Sequence, residues 1–260
     1  MATKDRYSYY RIRAVERALA VLSLFSLQQP ELTLAEIAEK LKVHKSTAHR
    51  MVLTLEKAGF LKRSITRGTY SLGLKLLELG AVALSSIELR AQARPHLERL
   101  HRETGLTVHL AILDEGEVVY IDKIEADTAV RLYSQVGRRS PVHCTALGKA
   151  LLAHLPREKV CEILAVKGMR RYTPDTIVSV PAFLKELERV RERGFALDMG
   201  EHEPLVHCVG APIRDYTGAV VAALSVTLVA AEVSEDSLMR YARLVMEAAG
   251  AVSRDMGYVA

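Results

Sequence analysis

The chain has 260 residues, of which 49% are hydrophobic and 26% charged, a composition typical of a globular protein and unlike that of a disordered or fibrous one. Its length suits one large domain or two unequal ones. Three cysteines, Cys144, Cys161 and Cys208, are too few for a disulfide framework and indicate a reducing cytoplasm. No apolar run reaches the roughly 18 residues of a membrane span, and no targeting segment is expected.

The net charge of +5 is unevenly distributed along the chain. Residues 1–75 contain 14 Lys and Arg against 6 Asp and Glu, a net charge of +8. Residues 76–260 contain 22 against 25, a net charge of −3. This asymmetry indicates an N-terminal part that meets a polyanion and a C-terminal part that does not, although chance variation among surface charges is the alternative.

The N-terminal part predicts two helices before the most basic stretch. Apolar residues at spacings of three and four predict a first helix over Val15–Leu27, whose apolar face consists of Val15, Leu19, Leu22 and Phe25 or Ser26. Thr33 and Glu36 have the spacing of a capping box, which predicts the start of a second helix. Residues 42–44 form a short turn after it.

A third helix is predicted over Lys45–Ala58, ended by Gly59, and FLKR and TYSL then predict a two-stranded wing. The short turn makes the second and third helices cross steeply, as in a winged helix-turn-helix, with a small solvated helical bundle as the alternative. Such a third helix offers its polar face to the major groove, and the wing meets phosphates or the minor groove. The predicted DNA contacts are Lys45, Ser46, Thr47, His49, Arg50, Arg63 and Arg67.

Residues 76–104 predict linker helices that also pack against a second subunit, because their apolar residues are too many for a free linker. Pro95 suggests the start of a new helix. Residues 105–260 then mix strands and helices without regular βαβ alternation, which predicts an α+β domain around an antiparallel sheet. Its first two strands flank a turn at residues 114–116, AVRLYSQVG is a third strand, and CTALGKALLAHL and VPAFLKELERVRERG are helices.

The C-terminal domain offers candidates for a ligand site rather than a catalytic motif. The dipeptides His143-Cys144 and His207-Cys208 suggest zinc ligands, but neighbours in a strand point to opposite faces, so no metal or cofactor is expected. Ser225 and Thr227 share one face of an apolar strand, and the start of the CTALG helix can hold a carboxylate. Together with Asp198, these features favour a small polar acid as ligand.

Seven blocks in this order resemble the IclR family of bacterial transcription regulators: RAVERALAVLSLF, LTLAEIAEKLKVHKSTAHRMVLTLEKAGFL, YSLGLKLLELG, PVHCTALGKALLA, RYTPDTI, GFALDMGEHEP and HCVGAPIRDYTGAVVAALSV. The resemblance implies an N-terminal winged helix-turn-helix (residues 1–75), linker helices (76–104) and a GAF-like antiparallel-sheet effector domain (105–260). It also implies a homodimer or tetramer that binds operator DNA and a small keto, sugar or aromatic acid. The effector contacts that it implies are Ala146, Leu147, Asp198, Cys208, Ser225 and Thr227.

The sequence therefore predicts a cytoplasmic, ligand-responsive DNA-binding regulator, with repression as the preferred mode and without a membrane anchor. Two other readings stay open at this point. One is an enzyme acting on a small acid, with Cys208 or Cys144 as nucleophile. The other is a sensor domain that binds partner proteins instead of DNA.

Overall fold

The structure is a computed structural model that describes residues 12–26, 28–64, 66–85, 88–127, 134–230 and 233–259. The chain divides into two compact units, Met1–Ser86 and Ile87–Ala260, each with its own hydrophobic core. Among the helices in the described ranges, none combines the length and apolarity that crossing a bilayer requires.

The N-terminal unit is a winged helix-turn-helix. Its elements in chain order are α1 (Arg13–Leu22), β1 (Glu31–Thr33), α2 (Leu34–Lys40), α3 (Lys45–Lys57), β2 (Leu61–Arg63), β3 (Thr69–Leu72) and α4 (Leu74–Ser85). The strands pair antiparallel in the order β1-β3-β2, so the predicted wing is confirmed as the β2–β3 hairpin. The sequence pattern does not reveal β1, because three residues are too few to show a periodicity.

The predicted helix boundaries around the tight turn are confirmed. The Thr33 hydroxyl accepts a hydrogen bond from the Glu36 amide at 3.3 Å, and the Glu36 carboxylate accepts one from the Thr33 amide at 2.7 Å, which completes the capping box. α3 begins after His44 and is followed by Gly59, whose φ of 79° is the left-handed value typical of a glycine at a helix end.

The first helix is shorter than predicted and turns a partly different face to the core. It ends at Leu22, and the predicted end at Leu27 lies outside the described residues. Of the predicted apolar face, Leu22 and Phe25 pack against the core. Val15 and Leu19 do not, because they are 51% and 59% exposed, whereas Val21 is fully buried. Apolar residues occur on more than one side of this helix, and packing against α3 selects the side that carries Val21.

The region predicted as linker helices contains two helices that belong to different units. α4 lies in the N-terminal unit, and α5 (Glu88–Thr104) begins the C-terminal unit. The expectation that Pro95 starts a new helix is wrong, because α5 continues through it. Proline cannot donate a backbone hydrogen bond, and the burial of apolar side chains before and after Pro95 offsets this loss. The buried α5 side chains are Leu89, Ala93, Leu97 and Leu100. The three-part division at residues 75 and 104 remains a prediction.

The C-terminal unit is an α+β domain around an antiparallel sheet, as predicted. The sheet has six strands within the described residues, in the order β6-β5-β4-β9-β8-β7. Its strands are β4 (Thr107–Asp114), β5 (Glu117–Ile124), β6 (Arg139–Ser140), β7 (Ala196–Met199), β8 (Val206–Arg214) and β9 (Val220–Val229). Its helices after α5 are α6 (Ala146–Leu152), α7 (Arg157–Lys167), α8 (Val180–Arg193) and α9 (Glu235–Asp255). α7 is absent from the sequence-based prediction.

The two faces of the sheet carry separate apolar layers. α5 and α9 pack on one face, and α6, α7 and α8 cover the other. The predicted β4–β5 hairpin is confirmed, with positive φ at both Glu115 and Gly116, as its two-residue turn requires. The predicted strand AVRLYSQVG falls largely outside the described residues. Its residues 134–137 form no strand, and the sheet edge is β6.

Candidate functional site

The exposed face of α3 carries most of the predicted DNA contacts. Lys45, Ser46, His49 and Arg50 are exposed and Thr47 is half-buried. The opposite face of the helix is buried against the unit's core. The His44 ring lies at the N-terminus of α3, where Nδ1 accepts from the Ser46 amide at 3.4 Å and lies 2.8 Å from the Ser46 hydroxyl.

The two wing arginines have different environments. Arg63 is exposed on β2, with its guanidinium 5.9 Å from the centre of the Tyr70 ring. Arg67 donates to the Glu31 carboxylate at 3.2 Å, and the Thr69 hydroxyl donates to the same carboxylate at 2.8 Å. Glu31 therefore offsets the charge of Arg67, whereas Arg63 has no carboxylate partner among the described residues.

A cavity in the C-terminal unit brings all six predicted effector contacts together. It lies between the start of α6 and strands β4, β5, β7, β8 and β9, and its volume of about 50 Å³ is room for a few water molecules or a small ligand. Its lining residues are Ala146, Leu147, Asp198, Cys208, Ser225 and Thr227 together with His109, Tyr120, Ser134, Arg138, Ser140, Thr145, His202, Glu203 and Val206.

Close backbone packing holds the start of α6 against the cavity. The Thr145 hydroxyl donates to the Pro141 carbonyl at 2.8 Å and accepts from the Gly148 amide at 3.1 Å. A Cβ at Gly148 would lie 2.3 Å from the Val142 carbonyl oxygen, so this position requires glycine. Within the described part of the chain, the amides of Ala146 and Leu147, the first two of α6, have no hydrogen-bond acceptor, as is usual at a helix start.

Asp198 is the buried acid of the cavity. It lies in β7 opposite Cys208 of β8, and its carboxylate accepts from the Glu201 amide at 2.8 Å. Burial raises the pKa of Asp198 to about 7, because a carboxylate loses solvation there, and the nearby carboxylate of Glu201 adds to this effect. Asp198 can therefore change its charge near neutral pH.

A buried ion pair joins α6 to the segment after β7. Lys149 is 1% exposed; its ammonium contacts the Glu201 carboxylate and donates to the Leu197 carbonyl at 2.8 Å. The Glu201 carbonyl in turn accepts from the Thr176 hydroxyl at 2.6 Å. These contacts tie the helix that begins with Ala146 to the strand that carries Asp198, which are two walls of the cavity.

A chain of polar groups crosses the base of the cavity. The Thr227 hydroxyl lies 3.3 Å from Cys208 Sγ and 3.4 Å from His109 Nδ1, and His109 Nε2 lies 2.7 Å from the Ser134 hydroxyl. Burial lowers the pKa of His109 to about 3, so its ring is neutral and offers one donor and one acceptor. Burial also raises the pKa of Tyr120 to about 12, which keeps its hydroxyl protonated.

The histidines and cysteines that suggest zinc ligands or a nucleophile in the sequence have different surroundings. Cys208 faces the cavity, while His207 Nε2 lies 3.2 Å from the Ala230 carbonyl outside it, as strand alternation predicts. Among the described residues, no group of three His, Cys, Asp or Glu side chains has the arrangement that holds a metal ion. Burial raises the pKa of the Cys144 and Cys208 thiols, whereas a nucleophilic cysteine needs a lowered one.

Sequence reasoning missed nine cavity residues. His109 interrupts an apolar strand and pairs in register with Ser225, so a lone histidine within TVHLAIL was a signal for a buried polar site. Arg138 and His202 come from loops without regular periodicity, and no sequence pattern assigns them to the cavity. Their place depends on how β5, β7 and the following loops pack.

A winged helix-turn-helix in one unit and a polar cavity in another define a ligand-responsive transcription regulator. The IclR helix-turn-helix domain matches residues 14–64, and the bacterial transcriptional regulator IclR C-terminal domain matches residues 81–254. The chain belongs to the IclR family.

The chain is similar to transcription regulators, and the similarity covers nearly the whole length of both proteins. The HTH-type transcriptional regulator XynR of Escherichia coli is 40% identical, over 96% of this chain and 99% of its own. The HTH-type transcriptional repressor AllR of Salmonella typhi is 33% identical, over 94% of this chain and 90% of its own.

A solved relative contains a bound acid. The structure of an IclR homolog from Microbacterium hydrocarbonoxydans, complexed with 4-hydroxybenzoate, is 30% identical and has a TM-score of 0.80, covering 94% of this chain and 98% of its own.

Proposed function

We propose that this protein is a repressor that releases or rearranges its operator when a small organic acid binds in the C-terminal cavity. The observation that carries the proposal is the convergence of Ala146, Leu147, Asp198, Cys208, Ser225 and Thr227 on one cavity. We propose repression because the AllR relative is named as a transcriptional repressor. We propose an acid as effector because the structure of another relative contains 4-hydroxybenzoate.

The N-terminal unit would bind double-stranded DNA through α3 and the wing. Lys45, Ser46, His49 and Arg50 share an exposed helix face, which is the arrangement that reads base edges in a major groove. Thr47 at the edge of this face, together with Arg63 and Arg67 of the wing, would contact the flanking backbone. Arg67 would exchange its Glu31 partner for a phosphate.

The cavity would bind an acid by its two chemically distinct walls. Unpaired amides at the start of α6 suit a carboxylate, and the hydroxyls of Ser225 and Thr227 suit a hydroxyl or keto oxygen on the same ligand. A volume of about 50 Å³ favours a small acid over a larger apolar compound. No cofactor is part of this proposal.

Exposed apolar residues support a homodimer or tetramer. In α4, Leu74, Leu77 and Leu79 are 76%, 71% and 45% exposed. A helix with so much uncovered apolar surface suits contact with a second copy. Two copies would place two recognition helices in successive major grooves, and effector binding would change their spacing. With DNA as target, the place of action would be the cytoplasm.

The proposal is tested by titrating the purified protein against the DNA upstream of its own gene, at 50 and 200 mM salt, with and without a panel of keto, sugar and aromatic acids. We expect tight, salt-dependent binding that one class of acid alters. Binding that no acid alters would contradict the effector site. Absence of binding at 50 mM salt would contradict the regulator itself.

The recognition-helix assignment predicts that Arg50→Ala weakens operator binding about 10- to 100-fold, which is the cost of losing one base contact of about 1–3 kcal/mol. The measurement is a gel shift on the upstream DNA. Arg243→Ala removes the same charge from an exposed position in α9 and should leave the affinity unchanged. Equal affinities of wild type and Arg50→Ala would show that α3 does not read this DNA.

A further inference from the structure

A groove separates α1 from α3 in the N-terminal unit, with a volume of about 350 Å³. Arg17 of α1 lines one side, and Thr47, Arg50 and Thr54 of α3 line the other. The remaining lining side chains are small or apolar. The groove therefore adjoins the helix face that carries the proposed base contacts, but one of its walls belongs to a helix outside the helix-turn-helix.

The groove keeps the full positive charge of its two arginines. Arg17 and Arg50 are exposed, and neither forms an ion pair with any residue that the structure describes. None of the described lining residues is acidic. This contrasts with Arg67 of the wing, whose charge is offset by Glu31 at 3.2 Å. Two unpaired guanidinium groups beside threonine hydroxyls are suited to a phosphodiester.

Arg17 and the exposed apolar residues of α1 lie on different sides of the helix. Val15 and Leu19 are each two positions away from Arg17, which corresponds to about 200° around a helix. An apolar contact of α1 through Val15 and Leu19 would therefore leave the Arg17 side of the helix uncovered. Arg17 instead shares the side of Ala14 and Ala18, which line the groove towards α3.

We propose that Arg17 is a further DNA contact, which binds a backbone phosphate at the edge of the major groove that α3 enters. This inference rests on the proposed function, because it requires α3 to be the recognition helix. Arg17 would fix the angle at which α3 lies in the groove, while the exposed face of α3 reads the bases. A phosphate contact contributes affinity for any sequence and none of the specificity.

The test is the salt dependence of DNA binding by the full chain, measured by fluorescence anisotropy on the upstream duplex and on an unrelated duplex of equal length. For Arg17→Gln we expect the slope of log affinity against log salt to become less steep by about 0.9 for each bound N-terminal unit. The loss of affinity should be the same on both duplexes. Arg17→Lys should keep the wild-type slope, and Arg243→Gln should match wild type in both measurements.

Three results would overturn the inference. An Arg17→Gln slope equal to that of wild type would show that no phosphate contact was lost. A loss confined to the upstream duplex would show that Arg17 reads bases. A wild-type protein that binds neither duplex at 50 mM salt would overturn the proposed function and this inference with it, whereas the first two results leave the proposed function in place.

Discussion

Replacing Lys149 by methionine should lower the free energy of unfolding of the C-terminal unit by about 3–5 kcal/mol, as is usual when one partner of a buried ion pair is removed. Lys149 is 1% exposed and its partner Glu201 is 6% exposed. One Glu201 carboxylate oxygen is buried and has no hydrogen-bond partner within the described residues. Without the ammonium, the carboxylate would have to take up a proton or remain charged and buried.

The measurement is urea denaturation followed by circular dichroism, with the double variant Lys149→Met/Glu201→Met as control. The double variant should recover most of the loss, because replacing both charges by apolar side chains removes the uncompensated carboxylate. Lys159→Met, which breaks an exposed pair with Glu162, should change stability very little. A single Lys149→Met variant as stable as wild type would show that water or movement of α6 satisfies Glu201.

Effector affinity should fall as the pH rises through neutrality, by about 100-fold between pH 6 and pH 9 if only the protonated form of Asp198 binds the ligand. The direction of this pH dependence follows from the charge of the Asp198 side chain. The pKa of Asp198 is raised to about 7, so this group is mostly protonated at pH 6 and mostly ionised at pH 9. An anionic acid in the same cavity is repelled by the ionised form and can accept a hydrogen bond from the protonated form.

Burial shifts the pKa of the cysteine and histidine neighbours of Asp198 away from this window. Burial raises the pKa of the facing thiols of Cys144 and Cys208 and lowers that of His202. Lys149 and Glu201 neutralise each other in their ion pair. The pH dependence of effector binding should therefore report mainly on Asp198.

Asp198→Asn provides the matched control for this prediction. The amide keeps the size of the side chain and cannot ionise, so its effector affinity should be nearly constant from pH 6 to pH 9. The measurement is isothermal titration calorimetry with the acid identified in the DNA experiment, supported by the ¹³C shift of the Asp198 carboxyl in the free protein. An affinity that rises with pH would show that the carboxylate form binds the ligand.

The helix-turn-helix could be predicted from the sequence because its signals are local. The capping box of Thr33 and Glu36 and the left-handed Gly59 depend on residues at most a few positions apart. The exposed face of α1 could not be predicted in this way. Val15, Leu19 and Val21 are all apolar, and only the packing of the helix against α3 decides which of them is buried.

The cavity shows the same division between local and long-range information. Strand alternation puts Ser225 and Thr227 on one face, and Asp198 is a candidate from its place at the end of a predicted strand. The family resemblance adds Cys208 from the strand that pairs with that of Asp198. The structure adds His109, Tyr120 and Arg138, which are brought there by the register of β4 and β5 and by the loop before β6. Each of these residues is far from Asp198 in the sequence, so no local pattern could join them.

By itself the sequence determined that this protein has a basic helix-turn-helix followed by an antiparallel-sheet domain, because periodicity, capping and charge act over a few residues. Only the tertiary structure decided which polar groups share the cavity, that Lys149 is buried with Glu201, and that Arg17 and Arg50 line the same groove. The physical reason is that burial, which sets the pKa of Asp198 and the cost of an unpaired charge, depends on side chains brought together from distant parts of the chain.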